Sequence, residues 1–80
     1  AFYDASLDAY REALNINPQS ARVLFNIAQI HALKDDTSSA LAALDKAVLL
    51  DRTYRELARN SYEFNEMKNL PEFKRILRIK

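Results

Sequence analysis

The chain has no glycine, no cysteine and no tryptophan, and only two prolines. Each absence removes a class of answer. Without cysteine there is neither a disulfide framework nor a thiolate metal site, and thiol usage cannot report a redox compartment. Without glycine, a sandwich, a barrel or a disordered tail is disfavoured, because those classes draw on flexible turn residues. Apolar runs last only a few residues, far short of the roughly 20 that span a bilayer. No signal-peptide pattern opens the sequence. With a net charge of +1, the chain has no whole-domain electrostatic grip on nucleic acid. No residue encodes a compartment; the cytoplasm is the expectation.

What is present points one way. Apolar residues make up 49% and charged residues 29% of 80 positions, the composition of one small helical domain. A chain this short buries only roughly 60% of its unfolded surface, so its core is marginal unless neighbours add to it. The charge is uneven: residues 1–50 carry four Lys/Arg against six Asp/Glu, and residues 51–80 carry eight against five.

Residues 3–16 place Leu7, Tyr10, Ala13 and Leu14 at three- and four-residue spacing, opposite Asp4, Asp8, Arg11 and Glu12. That is an amphipathic helix, and Asn17-Pro18 stops it. Ser20 is placed to cap the next helix. From Ala21 to Lys34 the apolar stripe is so broad that only Arg22, Asn26, Gln29 and His31 interrupt it, which predicts a helix sandwiched between neighbours. KDDTSS is then the turn, with Asp35 suited to a left-handed conformation and Asp36, Thr37 or Ser38 to a cap. Residues 39–51 repeat the helical pattern, with Leu41, Leu44, Ala47, Val48 and Leu50 on one side. Thr53 and Glu56 have the spacing of a capping box that opens a short helix to about Asn60. Two short helices are predicted beyond it, roughly 62–68 and 71–78, the second starting at Pro71.

A shift of 34 residues lays Leu7 on Leu41, Ala9 on Ala43 and Ala13 on Ala47. Self-similarity at this period is the mark of a stacked helical repeat. Leu24, Ile27, Ala28, His31, Ala40 and Leu44 fall on the signature spacing of the tetratricopeptide repeat, and Ser6, Tyr10, Ala13 and Pro18 on that of a half-copy upstream. The chain therefore resembles a tetratricopeptide repeat protein. Small residues at Ala28 and Ala40 suit a close antiparallel crossing. The signature tryptophan is missing, His31 replaces an aromatic, and Arg52 stands where a proline is usual. The segment SYEFNEMKNLPEFKRIL resembles the closing segment of some bacterial members.

The resemblance implies an all-α fold of antiparallel helix hairpins, a TPR-like alpha-solenoid. In this reading residues 3–17 are the second helix of a partial repeat, 21–54 a full repeat, and 53–80 capping helices, all within one domain over residues 1–80. It also implies a noncatalytic protein–protein interaction module that takes a protein or peptide ligand in a concave groove. Carried over by position, the groove residues are Arg22, Phe25, Asn26, Gln29 and Leu33, with Glu56, Arg59 and Asn60 from the following helix. Phe25 and Leu33 either line that groove or pack under the cap. The Lys/Asn clamp by which some members hold a terminal carboxylate is excluded, since Phe25 and Gln29 occupy its positions.

Other chemistry finds little support. His31 is the lone histidine and reads as a hydrogen-bonded core residue, so no metal is expected. No Ser or Thr has a paired base, and Asp35-Asp36 is explained by the turn, so no catalytic residue and no cofactor is expected. Lys74, Arg75, Arg78 and Lys80 read as complements to the final helix end rather than as a phosphate-binding surface. Because the sequence opens in the turn before a second helix, Leu7, Tyr10 and Leu14 are expected to be covered by upstream repeats or by another copy. The alternative function is a structural end-piece of a larger enzyme or regulator. Nucleic-acid contact through the basic C-terminal half is the weakest reading, because its charges are spread over several short helices.

Overall fold

A computed structural model describes residues 2–78. The chain is all-α: α1 (Phe2–Ile16), α2 (Ala21–Leu33), α3 (Thr37–Leu50), α4 (Thr53–Asn60), a 3₁₀ turn (Tyr62–Met67) and α5 (Pro71–Leu77). Lys80 and its predicted role lie outside the described residues.

Local chemistry sets the boundaries. Asn17 Oδ1 accepts the Gln19 N–H at 3.2 Å, an Asx turn that reverses the chain after α1. Ser20 caps α2 as predicted, its hydroxyl accepting the Val23 N–H at 3.3 Å. Asp35 adopts φ 61° and Asp36 caps α3 by accepting the Ser39 N–H. The turn between α2 and α3 is so short that the two helices must run antiparallel. They make the most extensive contact in the molecule.

The reason is visible at the crossing. Ala28, Ala40, Leu44 and Ala47 are fully enclosed; methyl side chains let the backbones approach, and leucine fills the space beside them. α2 touches α1, α3 and the 3₁₀ turn, so the helix predicted to be sandwiched is sandwiched. Leu50, in the last turn of α3, stays 42% exposed.

Two local expectations need correction. The Thr53–Glu56 capping box does not form. Thr53 is the first helical residue of α4 and Arg52 its N-cap, so the threonine is one position too late for the box; Asp51 Oδ1 accepts both the Thr53 N–H at 3.0 Å and the Thr53 hydroxyl at 2.7 Å. The segment predicted as a helix over 62–68 is a 3₁₀ turn. Phe64 and Met67 are both buried, and three residues per turn puts an i,i+3 pair on one face.

Leu7 is also not left for an upstream partner, being only 2% exposed within this chain. It belongs to the common core, and Tyr10 and Leu14 pack partly against that core. The Lys34 ammonium meets Asp4 Oδ1 at 2.7 Å, a contact between the start of α1 and the end of α2 that their antiparallel packing makes possible.

Candidate functional site

α2 splits its residues between two tasks. Leu24, Phe25, Ile27 and Ala28 are buried, whereas Arg22 and Leu33 are exposed and Asn26 and Gln29 half-buried. The accessible four occur at i, i+4, i+7 and i+11, a spacing that keeps them along one edge of a helix. Neither Asn26 nor Gln29 makes a side-chain hydrogen bond among the described residues. Their amides carry both donors and acceptors.

Phe25 is not part of that edge. At 6% exposure, its ring lies 4.9 Å from Tyr54 and 5.8 Å from Phe64, and Phe64 lies 5.9 Å from Phe73. The groove-lining role read from the sequence is therefore replaced by the other option, packing beneath the C-terminal segment. An aromatic ring gains more by joining this chain of rings than by facing water.

On α4 the candidates are tied to one another. Arg59 pairs with Glu56 at 3.4 Å, and the Asn60 amide donates to the Glu56 carbonyl at 3.1 Å. The latter bond is local to α4. It leaves Asn60 with its carbonyl and one N–H.

Leu33 opens onto a cavity of about 520 Å³ shared with Tyr62, Met67 and Leu70, and with the carboxyl-bearing Glu63 and Glu66. Tyr62 is 69% exposed and Leu70 38%. The sequence reading missed both as possible site residues. Had the 3₁₀ period been recognised, Tyr62 would have stood out as the aromatic lying off the Phe64–Met67 face.

Hydrogen bonding shapes the electrostatics nearby. Ser39 holds the Asp36 carboxyl below its ordinary value, and Thr53 does the same for Asp51. The hydrogen bond and charge of Lys34 lower Asp4. The His31 ring is largely buried, but its Nδ1 sits 3.7 Å from Asp36 Oδ2 and has no hydrogen-bond partner. The hydrogen-bonded role predicted for it is not met at that atom. Among the described residues no cluster of three His, Asp or Glu side chains could hold a metal ion. No helix among them is long and apolar enough to cross a membrane.

Two family models match the chain, one for a TPR repeat over residues 3–35 and one for a tetratricopeptide repeat over residues 21–54. The chain belongs to the tetratricopeptide repeat family. No curated protein and no solved structure matches it. Tetratricopeptide repeats generally mediate protein–protein interaction, and in this repeat the two matched segments overlap on α2. The helix with the accessible edge is thus also the helix both matches include.

Proposed function

We propose that this repeat is a noncatalytic module that binds an extended peptide segment along the α2 edge formed by Arg22, Asn26, Gln29 and Leu33, with Arg59 and Asn60 of α4 as flanking contacts. The observation that carries the reading is the pair of half-buried amides, Asn26 and Gln29, whose side chains form no hydrogen bond among the described residues. A peptide backbone offers N–H and C=O groups that match both amides, and the cavity beside Leu33 takes an apolar side chain. Phe25 contributes by fixing α2 to the C-terminal segment rather than by touching ligand.

Selection of random peptides displayed on phage tests this. Peptides enriched by the wild-type chain should lose about fivefold in affinity per amide removed in Asn26→Ala and Gln29→Ala, the worth of a single hydrogen bond. Enriched peptides indifferent to both variants would rule out the edge as the site.

A second reading has its own observation. Shifted by 34 residues, Ser6, Ala9, Tyr10 and Ala13 of α1 correspond to Ala40, Ala43, Leu44 and Ala47 of α3, all of which are buried. On α1 the same positions are exposed or half-buried. That face fits another helical hairpin or a second copy, which supports a structural role inside a larger assembly. Light scattering of the 80-residue chain separates these options: a monomer at all concentrations removes the second copy.

A further inference from the structure

A separate cleft of about 470 Å³ opens between α3 and α5, near the start of α4, and none of the α2 edge residues lines it. Leu41, Val48, Leu49 and Ile76 give it an apolar floor. Around that floor stand Arg52, Arg55, Arg75 and Arg78, against only Asp45 and Glu72. Four positive and two negative groups leave a local charge of +2 in a chain whose total is +1.

The arginines are not spent on internal pairs. None of the four forms an ion pair among the described residues. Arg55 Nε is shielded from water and has no hydrogen-bond partner, which is unfavourable for a donor carrying part of a positive charge. Arg78 holds a left-handed backbone conformation, φ 55°, that a residue with a β-carbon seldom takes. α5 therefore ends with a guanidinium at the cleft where a glycine would be the easier residue.

We propose that this cleft docks an acidic peptide segment in which carboxylates alternate with aliphatic side chains. Guanidinium forks pair with carboxylates through two parallel hydrogen bonds, and the Leu49–Ile76 floor receives the aliphatic residues. Nucleic acid fits less well, because it carries a charge at every unit and would bring phosphates against Asp45 and Glu72. The site is independent of the α2 edge, and the two can be lost separately.

Fluorescence anisotropy with the full chain and a labelled peptide of repeated Glu-Glu-Leu tests the proposal. Saturable binding that weakens with added salt is expected. The double variant Arg52→Glu, Arg75→Glu should weaken it roughly tenfold or more, as expected for two reversed surface charges. Glu72→Gln should tighten it, and this variant decides the matter if the double variant loses helical circular dichroism. Asn26→Ala should leave it unchanged. The proposal is overturned if no saturable binding occurs, if the arginine and Glu72 variants bind like wild type, or if Asn26→Ala abolishes binding. It is equally overturned if a labelled single-stranded oligonucleotide binds as tightly as the peptide, or if sedimentation shows the chain filling the cleft with a second copy.

Discussion

α1 and α3 share a pattern and differ in fate. Leu7 and Leu41 are both buried, yet Ala9 is exposed where Ala43 is enclosed, and Tyr10 is half-buried where Leu44 is fully enclosed. α1 packs mainly on α2, whereas α3 is covered by α2, α4 and α5, with α2 laid over its alanine face. The residue pattern encodes a surface able to pack, while burial depends on which neighbour is there. Identical side chains at equivalent positions therefore carry different energies.

Paired substitutions put that difference to the test. The largest separation should come from Leu44→Ala, which leaves a cavity and costs about 2–5 kcal/mol, against a much smaller loss for Tyr10→Ala; urea unfolding measures both, and equal losses would break the comparison. Enlarging the alanines follows. Ala43→Leu overpacks the α2–α3 crossing at about 1–3 kcal/mol, whereas Ala9→Leu on an exposed face should stay within about 0.5 kcal/mol. If an upstream hairpin were fused onto α1, the Ala9→Leu cost should rise toward that of Ala43→Leu.

The smallest effects are electrostatic. Asp4, joined to Lys34, serves α1, and Asp36, capping toward Ser39, serves α3; both carboxyls are held below their ordinary values. A depressed folded value means that their contribution is complete above the ordinary aspartate range and disappears as pH falls through the lowered values. Thermal melts should therefore show stability falling only on the acid side. Added salt should weaken the exposed Asp4 pair more than the Asp36 cap, whose strength comes from a directed hydrogen bond. A melting curve unchanged between neutral and strongly acidic pH would sink both assignments.

Most of the fold was legible in the chain because its signals are local or periodic. Ser20, Asp35 and Asp36 act within a few residues of themselves, and the alanine crossing repeats at a fixed interval. Phe25 was harder, since its position along α2 suits both a groove and a buried seam. What decides is a ring from Phe64, far along the sequence. The Asp51–Thr53 turn was hidden by a better-known spacing in Thr53 and Glu56. The arginine cleft was least legible, because Arg52, Arg55, Arg75 and Arg78 become neighbours only when α5 folds back on α3.

The contact pattern of α2 also fixes an order of events in time. α1 rests mainly on α2, while α2 is held in addition by α3 and the 3₁₀ turn, and by the rings that run from Phe25 to Phe73. Detaching α1 gives up one interface and leaves the others intact, as in any stack whose units touch only their neighbours. Its amide protons should exchange with solvent through that partial opening, whereas those of α2 should wait for the whole molecule to unfold. The chain thus comes apart from one end, and its most slowly exchanging hydrogens mark the helix on which the rest is built.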